Sequence, residues 1–370
     1  MALYSSRMAK PTPLLEFHRA NGAETAEDNG WLLPSHFGAP LEEYRAVRSG
    51  VGLLDLCHHT VLELTGPDRA SYLQGMVTND VKALTPGAGL YAAILDVNGK
   101  ILADLRVLCA EASFMLVLCE PLKQKVITHL NRYLVADDVE IGDLNGEYGM
   151  ISIQGPKSRS LLDQLAPAAE LPSQMHSHCL LRIGEQQVRV IRSTHTGEEG
   201  FDLAIESAAL APLVERLQET GKHFPFRWVG RIAQELLRVE AGLPRYGVDM
   251  DDDTLLLEAN IEQAVSFNKG CYLGQEVVER IHSRGHVNRK LVGIALEGDS
   301  PVTRGDKVRS GEKEIGRITS SIFSPRLKTP IALGYVQRDY LEPGTRIFVD
   351  RDRTPIPGVI SPLPFFPPSS

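Results

Sequence analysis

Cysteine is scarce in this sequence, and the pattern of its few cysteines excludes several classes of protein. The 370 residues contain 5 cysteines and no C-x-x-C pair. Their positions are Cys57, Cys109, Cys119, Cys179 and Cys271. An odd, scattered set argues against a disulfide framework and predicts reduced thiols, so we expect a cytoplasmic protein. It also offers no local spacing for a zinc or iron–sulfur site, and we expect no resident metal.

Long apolar runs and excess positive charge are missing as well. No segment reaches the ~18 consecutive apolar residues of a membrane helix, so no membrane partner is expected. The net charge of −8 argues against strong nonspecific binding of nucleic acids. What the chain does have is an ordinary globular composition, with 43% hydrophobic and 23% charged residues. Its length is enough for two or three domains.

The spacing of apolar residues predicts an α+β fold followed by a small barrel. Asn98-Gly99, between two apolar runs, predicts a tight β-hairpin over residues 90–110. Leucines and valines at helical spacing predict a helix that ends at Gly221. From Leu291 onward, short strands separated by Gly, Pro and Asp turns are typical of an antiparallel barrel.

The most chemically dense stretch surrounds Cys271. Lys269 precedes it by two residues, and Arg280 and Arg284 follow shortly after. Cations near a thiol lower its pKa and favour the reactive thiolate. Cys271 is therefore a candidate nucleophile, redox thiol or metal ligand, with a small buried core residue as the alternative.

The octapeptide KGCYLGQE at 269–276 resembles the signature of the YgfZ family of folate-binding proteins. The segment LRVEAGLPRYGVDMDDDTLLLEAN at 237–260 is similar to the sequence that precedes the signature in that family. The family shares a superfamily with the glycine-cleavage T-protein, a tetrahydrofolate-dependent aminomethyltransferase. The resemblance extends over about 34–365. It implies a T-protein-like ring of α+β subdomains around a central opening, followed by a C-terminal antiparallel β-barrel.

The resemblance also implies how the chain is divided. The expected parts are a leader (1–33), the first part of a folate-binding module (34–148), its second part (149–288), the β-barrel (289–365) and a Pro-rich tail (366–370).

The resemblance implies a pocket for tetrahydrofolate or a one-carbon derivative. T-protein relatives have a Y-T-G-E-x-G segment whose glutamate holds the folate ring. The corresponding segment here is THTGEEGFD at 194–202, in which His195 replaces the tyrosine and Glu198 matches the glutamate. A carboxylate can pair with a pterin through two parallel hydrogen bonds. A solvated acidic turn is the alternative for Glu198.

Asp104 is the candidate catalytic acid. The T-protein has G-G-x-x-D-D-L where this chain has G-K-I-L-A-D-L, and an acid there assists aminomethyl transfer. Ala103 replaces one of the two aspartates, while Asp104 remains. Gln234 and Glu235 stand where the T-protein has an arginine and an aspartate. These departures put ordinary aminomethyl transfer in doubt. A structural acid at a strand edge is the alternative for Asp104.

The remaining candidate folate contacts come from the TND match at 78–80, from the octapeptide and from the basic segment after it. They are Asn79, Lys269, Tyr272, Arg280 and Arg284. The basic residues are suited to an anionic folate tail, and direct contact with tRNA is a further option.

The resemblance favours one function and leaves two alternatives. The favoured function is folate-dependent support of iron–sulfur cluster assembly or repair, with assembly proteins or client enzymes such as tRNA-modifying enzymes as partners. This function needs Cys271. A one-carbon transferase of the T-protein type needs Asp104 instead, and a non-catalytic folate-stabilised scaffold needs neither. If the favoured function is correct, the side chains of Cys271 and Glu198 should line one cavity that is large enough for a pterin.

Overall fold

The computed structural model describes residues 9–352 and 354–366, apart from the side chain of Arg284. The helices are α1 (Leu15–Ala20), α2 (Pro40–Ser49), α3 (Arg69–Met76), α4 (Lys123–Tyr133), α5 (Ser158–Leu165), α6 (Leu210–Gly221), α7 (Arg231–Glu240) and α8 (Gln275–Arg284). The strands are β1 (Lys10–Pro11), β2 (Glu24–Asp28), β3 (Trp31–His36), β4 (Val51–Asp55), β5 (His59–Thr65), β6 (Gly89–Leu95), β7 (Ile101–Cys109), β8 (Phe114–Cys119), β9 (Glu140–Asp143), β10 (Tyr148–Gln154), β11 (His178–Ile183), β12 (Gln186–Arg192), β13 (Gly200–Glu206), β14 (Phe226–Trp228), β15 (Arg289–Leu296), β16 (Lys307–Ser310), β17 (Lys313–Ser324), β18 (Thr329–Gln337), β19 (Arg346–Arg351) and β20 (Thr354–Ser361). None of the described helices has the length and apolar character needed to cross a bilayer.

A five-stranded antiparallel sheet, in the order β6-β7-β8-β5-β9, carries the predicted hairpin. β6 and β7 pair across a turn in which Gly99 has a φ of +76°, so the hairpin prediction is confirmed. Helices α3 and α4 pack on one face and contribute Leu73 and Leu130 to the core below the sheet. The other face lies toward a second sheet.

That second sheet has six strands in the order β11-β12-β13-β10-β4-β14, and only the β14–β4 pair is parallel. Helices α5 and α6 cover its far side. The two sheets meet through a shared apolar cluster that includes Val61 and Val117 from the first sheet and Met150 and Ile191 from the second. This contact fixes the distance between the sheets and leaves space beyond its edge.

The expected leader is part of the folded module in its described portion, which begins at residue 9. Strands β1, β2 and β3 form a small three-stranded sheet. Thr12 Oγ1 donates to Asp55 Oδ2 at 2.5 Å, and His18 Nε2 lies 2.7 Å from the same oxygen. A buried carboxylate requires such partners, which ties this segment to β4.

The C-terminal strands close into an antiparallel barrel in the order β15-β18-β17-β16-β19-β20. The predicted α+β module followed by a barrel is therefore confirmed. Helix α7 packs against β17 and β18 and connects the barrel to the module. Of the expected tail, Phe366 is described and lies 5.0 Å from the Arg48 guanidinium, while residues 367–370 lie outside the described part.

Candidate functional site

A cavity of about 610 Å³ lies where the two sheets, helix α7 and the β2–β3 turn come together. The first sheet contributes residues of β6, β7 and β8, and the second contributes the segment after β12. Helix α7 and residues 243–247 form the remaining wall. A volume of this size is within the range of pockets for drug-sized ligands and cofactors.

Asp104 on β7 places a carboxyl group in the cavity wall. The hydroxyl of Tyr91, on the paired strand β6, donates to Asp104 Oδ2 at 2.8 Å. Burial raises the pKa of Asp104 above its ordinary value, although the Tyr91 hydrogen bond opposes the rise. The cavity wall therefore contains an acid that holds its proton more readily than an exposed aspartate does.

The position of Ala103 shows why the loss of one of the two T-protein aspartates does not remove the acid from the cavity. It is fully buried and belongs to the core under the first sheet. Successive side chains of a strand point to opposite faces, so position 103 faces away from the wall that holds Asp104. An aspartate at 103 would not add a carboxylate to the cavity, and its replacement by alanine leaves the site's acid in place.

Arg106 and His195, which line the cavity, form a cluster with the fully buried Asp202. Arg106 Nη1 donates to Ser193 Oγ at 2.5 Å and also to Asp202 Oδ2. His195 Nε2 lies 2.9 Å from Asp202 Oδ1. Burial opposes ionisation of Asp202, but His195 and Arg106 together hold its pKa well below the usual range. Asp202 is therefore an anion that pairs with Arg106 and forms a hydrogen bond with His195.

A thiol and two neutral imidazoles line another part of the cavity. Cys119 Sγ lies 3.6 Å from His59 Nε2. Burial raises the pKa of Cys119 to about 12, and burial together with Arg106 lowers the pKa of His59 to about 3. Burial likewise lowers the pKa of His176, which stacks on Tyr91, to about 4. These groups are uncharged at neutral pH, so they provide a polar but neutral surface.

Three arginines of α7 and the following loop line the cavity near the β2–β3 turn. Arg231 and Arg245 contact Asp28 Oδ2 at 2.5 and 2.7 Å. Arg238 is bound by Glu235 at 2.6 Å and by Asp249 at 2.7 Å. Gln234 stands where the T-protein has an arginine, and the arginines beside it present guanidinium groups that are already paired with acids. Neither Arg231 nor Arg245 was singled out from the sequence.

Glu198 lies outside this wall. Its carboxylate is buried and forms an ion pair with Arg48, with Nη1 and Oε1 2.5 Å apart. Arg48 also contacts Glu240 at 2.5 Å, and the Tyr44 hydroxyl donates to Glu240 at 2.7 Å. Asp202, four residues later, is fully buried and pairs with Arg106 and His195, which both line the cavity.

Cys271 is also separate from the cavity. It is exposed and does not belong to the cavity wall. The neighbouring Lys269 points elsewhere: its Nζ donates to the carbonyl oxygens of Gln74, Val77 and Asn79 at 2.6, 2.6 and 2.9 Å. The expected meeting of Cys271 and Glu198 on one cavity is therefore not found.

The other predicted contacts support the structure around the cavity without lining it. Tyr272 is buried in an apolar cluster with Ile101. The Asn79 amide donates to the backbone oxygens of Tyr91 and Gln263 at 2.9 and 3.1 Å, which ties together two residues of the cavity wall. Arg280 is exposed on α8. Arg284 ends that helix, and its side chain lies outside the described part of the structure.

Among the residues that the structure describes, no three His, Cys, Asp or Glu side chains are grouped to hold an ion. The site thus contains one acid with a raised pKa, an arginine–aspartate pair and three further arginines that are paired with acidic residues.

Two protein-family models match the chain. The GCVT N-terminal domain matches residues 14–269, and the glycine cleavage T-protein C-terminal barrel domain matches residues 289–367. Together they cover the module and the barrel, and the first begins within the segment expected to be a leader.

Known proteins resemble the chain over nearly its full length. An aminomethyltransferase of Chlorobium luteolum is 33% identical over 363 residues, covering 96% of this chain and 98% of the relative. One of Rubrobacter xylanophilus is 33% identical over 356 residues, covering 96% and 94%. The crystal structure of glycine cleavage system aminomethyltransferase T from Bartonella henselae has a TM-score of 0.88 and 27% identity, covering 97% of this chain and 98% of that one.

These similarities correct the favoured function. Relatives of about 30% identity that span the chain carry the name aminomethyltransferase, and so does the structural neighbour. Support of iron–sulfur cluster assembly is therefore wrong as the primary interpretation, and membership of the YgfZ family is not confirmed. The similarities favour the transferase alternative, and the position of Asp104 agrees with it.

Proposed function

Because the chain belongs to the glycine cleavage T-protein family, we propose that it is a tetrahydrofolate-dependent aminomethyltransferase. Tetrahydrofolate would bind in the cavity between the two sheets and supply the nitrogen that accepts the one-carbon unit. Two new C–N bonds to the folate would replace the carbon's bonds to its donor and to its own nitrogen, and the two N–H protons of the folate would leave with the donor group and with ammonia.

The observation that carries this proposal is the position of Asp104. It is the acid left in the sequence where the T-protein has two, and its carboxyl group lies in the cavity wall. Burial raises its pKa, so it holds a proton more readily than an exposed aspartate does. As an anion it stabilises positive charge that develops on a reacting amine, and as an acid it returns the proton to the departing amine.

The remaining wall residues are suited to hold the folate. Tyr91, His176 and Tyr246 offer ring surfaces for a planar pterin or benzoyl group. Arg231 and Arg245 bring positive charge to the part of the wall near Asp28, where the carboxylates of a glutamyl tail would find partners. The cavity volume of about 610 Å³ is in the usual range for a ligand of this size.

Substitution of Asp104→Asn tests the proposal because it removes the charge and keeps the shape. We expect calorimetry to give a dissociation constant for tetrahydrofolate near that of the wild type. The kcat for 5,10-methylenetetrahydrofolate formation should fall by roughly 100-fold or more, with the aminomethyl donor supplied by a reconstituted glycine cleavage system.

The matched control is Asp253→Asn. Asp253 is an exposed acid that pairs with Lys100 at 2.8 Å outside the cavity, and its loss should leave both quantities unchanged. A wild-type protein that does not bind tetrahydrofolate, or an Asp104→Asn enzyme as fast as the wild type, would contradict the proposal.

A further inference from the structure

His195 and Asp202 form an imidazole–carboxylate pair beside the cavity. His195 lies in the loop between β12 and β13, and it is part of the cavity wall. Its Nε2 lies 2.9 Å from Oδ1 and 3.1 Å from Oδ2 of Asp202. Although burial opposes ionisation of Asp202, His195 and Arg106 lower its pKa, so the group is an anion. An ionised carboxylate only accepts hydrogen bonds, and Nε2 therefore carries the ring proton of His195.

The other ring nitrogen of His195 is left for a ligand. Within the described part of the chain, the hydrogen bonds of this residue leave from Nε2 and from the backbone N–H, which donates to Gln154 Oε1 at 3.0 Å. The His195 side chain is 23% exposed, whereas that of Asp202 is fully buried. A neutral ring with its proton on Nε2 has Nδ1 as a proton acceptor. Asp202 thus fixes His195 in the form that can accept a proton from a molecule in the cavity.

His195 differs from the other three imidazoles of the wall, which belong to His58, His59 and His176. None of these three forms an ion pair with a carboxylate of the described residues, as His195 does. Burial lowers the pKa of His59 to about 3 and that of His176 to about 4, and it also lowers the pKa of His58. Such rings are weak bases. Because an adjacent carboxylate stabilises a protonated imidazole, His195 is the imidazole of the wall best placed to accept a proton.

We propose that His195 is a second catalytic residue of the transferase, whose Nδ1 accepts one of the two N–H protons that the folate loses. The inference rests on the proposed function, because it assigns a proton transfer of that reaction. T-protein relatives have a tyrosine at this position, so the role is inferred for the histidine of this chain and is not carried over from them.

Two protons have to move in the reaction, and Asp104 accounts for one of them. When the first folate nitrogen attacks the carbon and ammonia leaves, Asp104 passes the proton of that nitrogen to the departing amine. When the second folate nitrogen attacks, its proton moves to Nδ1 of His195. The bond between the carbon and the donor breaks with its electron pair on the donor atom, which then takes the proton from Nδ1. Asp202 stabilises the imidazolium between these two transfers.

His195→Gln is the first test, because glutamine keeps an N–H donor for Asp202 but cannot take up a proton. We expect the kcat for 5,10-methylenetetrahydrofolate formation to fall by roughly 100-fold. The dissociation constant for tetrahydrofolate and the melting temperature should stay near the wild-type values. The matched control, His223→Gln, changes an exposed histidine outside the cavity wall and should leave all three quantities unchanged. A His195→Gln enzyme as fast as the wild type would overturn the inference.

Chemical rescue separates proton transfer from a structural role. His195→Ala removes the ring and leaves space for a small base, so added imidazole should raise the kcat of this variant by at least about tenfold. The gain should increase with the concentration of neutral imidazole as the pH rises, since only the neutral ring accepts a proton. Asp104→Asn, which keeps His195, should not respond to imidazole. A His195→Ala enzyme that is slow and does not respond to imidazole at any pH would contradict the proposed role.

The outcomes separate this inference from the proposed function. If the wild type forms 5,10-methylenetetrahydrofolate, Asp104→Asn is slow and His195→Gln is fast, only the inference about His195 fails. If His195→Gln weakens tetrahydrofolate binding and leaves kcat intact, His195 contacts the folate without transferring a proton, and the inference is overturned. If the wild type neither binds tetrahydrofolate nor forms the product, the proposed function fails and the inference fails with it.

Discussion

The ammonium group of Lys269 donates to three carbonyl oxygens, and these hydrogen bonds give the residue a structural role beside Cys271. An ammonium group has three N–H donors, so the oxygens of Gln74, Val77 and Asn79 use all of them. Burial lowers the pKa of Lys269 to about 8. Lys269 thus holds the end of α3 and is not directed at the Cys271 thiol, which remains exposed.

At the residue scale we therefore predict that Cys271→Ser has little effect. The folate affinity and the kcat should stay within about twofold of the wild type, and stability should change by no more than about 0.5 kcal/mol, as is usual for exposed positions. Steady-state kinetics and urea unfolding measure these quantities. A loss of activity comparable to that of Asp104→Asn would restore a chemical role for the thiol.

Among the secondary-structure elements, the β6–β7 turn and the start of α8 approach each other through two glycines. Gly274 has a φ of +82°, and a Cβ atom there would lie 2.5 Å from the Asp96 carbonyl oxygen. Gly99, in the turn, has a φ of +76°, and a Cβ there would lie 2.9 Å from Val277. This close packing holds the hairpin that bears Asp104.

We predict that Gly274→Ala destabilises the protein by roughly 1–3 kcal/mol, because the new methyl group meets backbone and the φ is strained for any L-residue. The matched control is Gly270→Ala in the same octapeptide, where a Cβ would meet nothing within 4 Å. Urea unfolding of both variants measures the difference. Equal midpoints for the two variants would show that the approach of α8 to the hairpin is not tight.

The hairpin also shows how much of the site the sequence predicts. Asn98-Gly99 sets the register, and in that register Ala93 lies opposite Asp104 while Tyr91 lies opposite Arg106. The grouping of Tyr91, Asp104 and Arg106 on one face was therefore accessible from local rules. The fold class was accessible for the same reason, because periodicity and turn chemistry specify elements.

The acidic loop was different. Glu198 pairs with Arg48 outside the cavity wall, and it follows Gly197, which has a φ of +80° and packs against Ala241, far away in the chain. Local spacing does not encode that contact. The same holds for Arg231 and Arg245, whose place in the wall depends on the β2–β3 turn that carries Asp28.

For the molecule as a whole, buried neutral histidines link stability to pH. His178 lies 3.0 Å from the Cys109 carbonyl oxygen through Nε2, and its Nδ1 accepts from Arg189 at 2.8 Å. Burial and Arg189 lower its pKa to about 4. The unfolded chain therefore binds this proton first as pH falls. The stabilisation is complete above pH of about 6.5 and is lost between there and about 4.

We predict that the free energy of unfolding falls by up to about 1.4 kcal/mol per pH unit for this group across that window. His178→Gln should flatten the slope by up to one proton, as measured by urea unfolding at several pH values. The exposed His223→Gln is the control and should retain the wild-type slope. An unchanged slope in His178→Gln would show that another group carries the effect.

One arginine of the cavity wall is held by the barrel. Arg238 Nη2 donates to Ser320 Oγ at 2.7 Å, and Ser320 and Thr319 both donate to Asp249, the acid that pairs with Arg238. A chimera that grafts a relative's barrel onto this module must consequently carry matching hydroxyls at 319 and 320. Without them, the module and the barrel would each fold, but the Arg238 guanidinium would be misplaced. The chimera would then lose ligand affinity while the stability of each domain stayed the same.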